Sequence, residues 1–188
     1  MGIISRIRST IQYKINSFIK PEIIGYLKWN GKDTKGLRVS NLTHISNQKN
    51  VSLGANVFIG HFNYLDGNQK LTIGKSVQIT NYVSILTHSS HDAIRLLGEQ
   101  YLELIEHECI QRDEVSIGKN TYVGAHSIIM PGSVIGKGCV ISGFSYVTGN
   151  IPDYSIVRGI PGKIIGSTKD RDFKLLKMFP DLDASYYD

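Results

Sequence analysis

Residues 87–99 hold the densest group of proton-handling side chains in the chain. The run Thr87-His88-Ser89-Ser90-His91-Asp92, followed by Arg95, Gly98 and Glu99, gathers two imidazoles, two carboxylates and a guanidinium. A free imidazole titrates near about pH 6.5, so at neutral pH it can both accept a proton and give it back. A hydroxyl is too weak an acid to attack a carbonyl unaided, and a positioned base of this kind speeds such a step by about 10²–10⁴. His88 is the candidate base. Glu99 is a candidate to orient His88 or to bind an acceptor, while His91 either positions a substrate or caps the turn with Asp92.

These residues need a scaffold, and the flanking sequence supplies one. An apolar residue recurs every six positions at Ile117, Val123, Ile129, Ile135, Ile141 and Val147, mostly followed by a small residue such as Gly118, Gly124, Gly136 or Ser142. The same grammar appears earlier in Leu53-Gly54, Ile59-Gly60, Ile73-Gly74, Ile79-Thr80 and Ile85-Leu86. A six-residue period fits neither the helical turn nor strand alternation, so it describes a repeating supersecondary unit. If each hexad is one short strand and one turn, three hexads close a triangular coil, and stacked coils pair as parallel strands about 4.8 Å apart. Between Val39 and Asn150 there is room for roughly four to five coils. The expected fold is all-β, a parallel β-helix. A sandwich of variable loops would not keep so strict a period. The period stops between Ile85 and Ile117, so residues 87–114 are expected to leave the coil as an extruded loop, the usual place for function on a rigid scaffold.

An aromatic content of only 9% suits a slim aliphatic core, and a formal charge of +5 suggests an anionic partner such as a CoA-type ligand, a phosphorylated sugar or a membrane surface. The basic residues are scattered without a nucleic-acid recognition motif. Cys109 and Cys139 do not suggest a disulfide framework, which points to a reducing cytoplasm. No stretch approaches the roughly 18 apolar residues of a membrane span, and the N-terminus lacks a signal-peptide pattern. Residues 1–20 set Ile4, Ile7, Ile11, Ile15 and Phe18 at helical spacing among Arg6, Arg8, Lys14 and Lys20, with Pro21 ending the pattern. This amphipathic helix is expected either to lie on the inner face of an anionic membrane or to pack on protein. The implied organisation is an N-terminal helix and linker over 1–36, the β-helix over 37–166, and a C-terminal helix and tail over 167–188.

The hexads, together with the string His88, His91, Arg95, Gly98, Glu99, make the chain resemble the hexapeptide-repeat acyltransferases. It is most similar to the galactoside, maltose and Nod-factor sugar O-acetyltransferases. That resemblance implies left-handed coiling, acetyl-CoA as co-substrate, no metal, and a homotrimer with active sites between subunits. It places His88 at the catalytic position and Arg95 beside the acceptor. By the same match Ala125, Gly143 and Thr148 line the CoA groove, Tyr122 stands where relatives carry tryptophan, and Lys163 is the basic residue that meets the CoA phosphates. A second basic residue is replaced by Gly166. A backbone N–H at Ala125 is the expected oxyanion donor.

In relatives the acceptor is bound from the coil before the catalytic histidine, here His61-Phe62-Asn63-Tyr64-Leu65-Asp66, where Asn63 and Asp66 are suited to sugar hydroxyls. The loop over 100–114 is longer than the relatives carry, which implies a different and larger acceptor. The resulting expectation is acetyl-CoA-dependent O-acetylation of a carbohydrate, a surface polysaccharide or its precursor. Two alternatives are N-acetylation of a nucleotide-linked amino sugar, and a metal enzyme similar to the γ-type carbonic anhydrases using His61, His88 and His91.

Overall fold

The computed structural model describes residue 11 and residues 20–103 and 108–182, without the side chain of residue 102. The expected N-terminal helix and the last six residues lie outside them. Three parallel faces wind around one aliphatic core. Face A carries Lys32–Ser40, Phe58–Ile59, Gln78–Ile79, Tyr122–Val123, Val140–Ile141 and Ser155–Arg158. Face B carries His44–Ile45, Tyr64–Leu65, Ser84–Ile85, Ile128–Ile129 and Tyr146–Val147, and face C carries Val51–Leu53, Leu71–Ile73, Val115–Ile117, Val134–Ile135 and Asn150–Ile151.

Most of the two-residue strands turn one large aliphatic residue inward and the three-residue strands of face C turn two, and register stacks these residues into columns. Ile59, Ile79, Val123 and Ile141 pair in sequence on face A and are fully buried. Burying one such side chain is worth about 1.5–3 kcal/mol, so the columns supply the main cohesion of the prism. Cys139 is buried within a turn, where desolvation pushes its thiol up and Sγ donates to the Pro152 carbonyl at 3.2 Å.

Coil length is not constant. Val39 pairs with Ile59 and Ile59 with Ile79, giving coils of 20 residues; Val123 to Ile141 spans 18, and Ile141 to Val157 spans 16. The extra residues of the long coils fall where face B turns into face C, as in 46–50 and 66–70.

Both ends of face A are closed by antiparallel strands. Residues 23–36, expected as linker, instead form most of a hairpin of Ile23–Trp29 with Lys32–Ser40. Its turn, Asn30-Gly31, has both residues at positive φ, the type of pair that a tight hairpin needs. Trp29 is buried and its Nε1–H donates to the Val51 carbonyl at 2.8 Å, sealing the first coil. At the other end Lys163–Ser167 pairs with Ser155–Arg158, and a helix over Thr168–Met178 follows. The two added strands, Ile23–Trp29 and Lys163–Ser167, are thereby the outer edges of this open sheet.

Candidate active site

The site is built at the edge between faces B and C. After Ser84–Ile85 the chain leaves the coil: His88–Ser89 pairs antiparallel with Gln111–Arg112, and a short helix over His91–Leu97 and a 3₁₀ turn over Gly98–Leu102 lie between them. Thr87, fully buried, closes the neck. Its carbonyl accepts from the Asp113 N–H at 3.0 Å and its Oγ1 accepts from the Gln69 N–H at 2.9 Å.

Within that neck His88 meets Asp66. Nδ1–H of His88 donates to Asp66 Oδ2 at 2.6 Å, while the same carboxylate oxygen accepts from the N–H and Oγ1 of Thr87, both at 3.0 Å, and from the His88 N–H at 3.2 Å. The other oxygen, Oδ1, accepts from Ser46 Oγ and from the backbone and side-chain amides of Asn68. Burial pushes the Asp66 carboxyl up, but the hydrogen bonds from His88, Asn68 and Thr87 outweigh it and hold the group at about 2. Asp66 is therefore an anion at neutral pH and can only accept, which assigns the proton of the neutral imidazole to Nδ1. Nε2 is left with its lone pair and has no partner among the described residues. The half-buried ring is thus held with one nitrogen able to accept a proton.

This geometry corrects three expectations. Asp66 is fully buried and cannot reach an acceptor; it is the orienting carboxylate behind His88. Glu99, expected in that role, lies exposed on the 3₁₀ turn with no bond to His88, because the loop helix carries it away from the neck. Asn63 is buried and spends its side chain on turns: Nδ2 donates to the carbonyls of Gly60 and Thr80, and Oδ1 accepts from the Val83 N–H, so nothing is left for a sugar. The signal that would have found Asp66 is spacing. Leu65 and Ile73 are eight residues apart rather than six, and the extra residues form the turn that holds Asp66 and Asn68.

His91 and Arg95 stay together on the exposed loop helix. His91 Nδ1 lies 2.8 Å from Ser89 Oγ, and Asp92 pairs with Arg95 at 3.0 Å and with His91 at 3.5 Å. His61 sits at the A–B edge with Nδ1 on Ser40 Oγ, so the chain does not itself bring His61, His88 and His91 together. No group of three metal-ligating side chains occurs among the described residues.

The residues expected to line a CoA groove are spread over several surfaces. Ala125 and Gly143 lie on successive turns of the A–B edge, so close that a Cβ built on Gly143 would sit 3.0 Å from the Ala125 carbonyl oxygen. The Ala125 N–H donates to no acceptor among the described residues. Thr148 is exposed at the B–C edge. Tyr122 is on the outer side of face A, lining a groove of about 740 Å³ with Val140, Arg171 and Leu175. Lys163 is exposed on the closing hairpin, directly opposite Arg158. Face B separates His88 from Ala125 and Gly143 within one chain.

Residues 114–149 match the bacterial transferase hexapeptide family of six repeats. Galactoside O-acetyltransferase of Escherichia coli strain K12 is 33% identical over 129 residues, covering 64% of this chain and 59% of that protein. The putative lipopolysaccharide biosynthesis O-acetyl transferase WbbJ of the same strain is 28% identical over 112 residues, covering 58% and 57%. The chain thus spans less than two thirds of the length of these relatives. Among solved structures, a galactoside acetyltransferase in complex with coenzyme A superposes with a TM-score of 0.59 at 27% identity, covering 70% of this chain and 62% of that one. The coiled prism is the left-handed β-helix of these proteins.

Proposed function

From the premise that this chain is a hexapeptide-repeat protein of the bacterial transferase type, we propose that it is an acetyl-CoA-dependent O-acetyltransferase acting on a carbohydrate, a surface polysaccharide or its precursor. The observation that carries the reading is the Asp66–His88 pair, a buried anion fixing one imidazole nitrogen and leaving the other bare at the mouth of the extruded loop.

Nε2 of His88 takes the proton of an acceptor hydroxyl as that oxygen attacks the acetyl carbonyl of the thioester. Asp66 holds the ring and stabilises the imidazolium that forms, keeping its own proton affinity too low to take the proton. The Ala125 N–H steadies the tetrahedral oxyanion. Collapse breaks the C–S bond, and the imidazolium returns the proton to the departing sulfur. One proton moves from oxygen to sulfur and no covalent enzyme intermediate is required. Tyr122, Gly143, Thr148 and Lys163, divided between two neighbouring copies, line the path of the coenzyme.

Because face B separates His88 from Ala125 and Gly143 in one chain, a complete site needs the A–B edge of a second copy beside the B–C edge of the first. A homotrimer meets that requirement three times over. Among the described residues no helix is long and apolar enough to cross a membrane, and we place the enzyme in the cytoplasm, where acetyl-CoA is made.

The test is thiol release from acetyl-CoA with a panel of sugars. His88→Ala should lower kcat by about 10²–10⁴ while the melting temperature moves by no more than a few degrees. Turnover within threefold of the wild type would remove His88 from the mechanism. Acetylation of an amino sugar in preference to hydroxyl acceptors would replace O- by N-transfer on the same base.

A further inference from the structure

The outer side of face B carries one residue per coil, and register sets them in a single column: His44, Tyr64, Ser84, Ile128, Tyr146. Two neighbours in it are rings that stack. His44 and Tyr64 have centroids 5.5 Å apart and planes within 8°. Strand spacing along the prism is about 4.8 Å, so the stacking direction is the direction of the column itself. One face of the Tyr64 ring is therefore covered by His44 and the opposite face looks toward Ser84. Serine is too short to cover it.

The next rung, Ile128, stands two strand spacings from Tyr64, roughly 9–10 Å. Between them is a notch with an aromatic wall, an aliphatic wall, and the Ser84 hydroxyl at its floor, which has no hydrogen-bond partner among the described residues. Tyr64 is 37% and Ile128 38% exposed, so both walls are open to a ligand. The notch also adjoins the base. Asp66, two residues beyond Tyr64 and so about 7 Å along the strand, holds the His88 ring.

We infer that this notch is the acceptor subsite: a pyranose ring lies with its C–H face on Tyr64 and its opposite edge against Ile128, hydrogen-bonds to Ser84, and presents one hydroxyl to His88 Nε2. A saccharide has the required mixed character, an apolar ring face with a polar perimeter. A planar anion or a peptide would not use both walls and the floor. The inference rests on the acetyltransferase reading above and assigns its sugar specificity to Tyr64 and Ser84.

The test has two arms, using methyl galactoside, methyl glucoside, N-acetylglucosamine and maltose as probes. In kinetics with the sugar that supports turnover, Tyr64→Ala should raise the acceptor KM at least tenfold while the acetyl-CoA KM stays within twofold. Tyr64→Phe should restore the acceptor KM to within threefold, and Ser84→Leu, which fills the notch, should match Tyr64→Ala. An acceptor KM that stays within twofold in both Tyr64→Ala and Ser84→Leu overturns the subsite while leaving the enzyme assignment intact. In the second arm, saturation-transfer NMR on the His88→Ala protein should show ring protons of a probe sugar contacting the protein, and Tyr64→Ala should abolish the effect. That result without turnover in the wild type would sink the acetyltransferase reading and keep the sugar site. Binding of none of the four sugars would overturn the subsite.

Discussion

The two long edges that flank face B are made by opposite means. Along the A–B edge the turns are uniform, and the same left-handed position is filled in four of them by Phe62, Tyr82, His126 and Phe144, with φ between 56° and 59°. Their rings stack into a ladder at 5.0, 4.8 and 4.7 Å. Along the B–C edge the turns change length, one of them opens into the loop, and in place of rings there is a buried carboxylate holding a histidine. Regular turns make an edge that can repeat, whereas irregular ones make room for a group that needs a particular partner. The first edge carries the ring ladder, and the second carries the Asp66–His88 pair.

The sharpest way to break that division is Asp66→Asn. The amide preserves shape but can donate to Nδ1, so the ring loses the enforced tautomer, and kcat should fall by about 10²–10⁴. The variant also tests the electrostatics. Asp66 titrates near 2 when folded against an ordinary 3.8, so its contribution to stability is complete above about pH 4 and fades as the pH falls towards 2. Urea titrations between pH 2 and 6 should show the wild type losing its advantage over Asp66→Asn in that window. A constant gap across it would mean the carboxylate is not held as described.

Less drastic, and aimed at the regular edge, is Gly124→Ala. A Cβ there would collide with the Gly143 backbone and come within 2.8 Å of the Ile141 carbonyl oxygen, so the coils must part. Overpacking of this kind costs about 1–3 kcal/mol. Gly25→Ala in the first hairpin, where nothing lies within 4 Å, is the control and should change stability by less than about 0.5 kcal/mol. Equal effects from the two would show that close coil approach is not what holds the edge.

The same contrast explains what could be read from the amino-acid order. The prism was legible because it is one instruction repeated: Ile117, Val123 and Ile129 each say the same thing, and their burial follows. His88 was legible as a candidate because its neighbours in sequence form a recognisable string. Asp66 was not, since its type is ordinary and its meaning comes from a partner 22 positions away. Glu99 shows the converse, because closeness to His88 in sequence was undone by the helix between them. The Tyr64 column was hidden for a further reason. Its members are joined through coils of unequal length, and Ser84 and Ile128 pair across the whole excursion.

The smallest effect separates two rungs of the ladder. Asparagine tolerates the left-handed region that costs an ordinary L residue about 1–2 kcal/mol, so replacing a ring by Asn relieves strain as it removes stacking worth about 0.5–1.5 kcal/mol per pair. Tyr82 and Phe144 have nearly the same φ, 58° and 56°, so the relief cancels between them. What differs is the number of faces engaged. Tyr82 stacks on both Phe62 and His126, whereas Phe144, 65% exposed, stacks on His126 as the last rung. Tyr82→Asn should therefore be less stable than Phe144→Asn by about one stacking pair, roughly 1 kcal/mol, with Phe144→Asn close to the wild type. Chemical denaturation of the two variants side by side measures this directly. If Phe144→Asn proves the weaker protein, the rings are not stabilising one another, and the A–B edge must owe its aromatic character to something outside the chain.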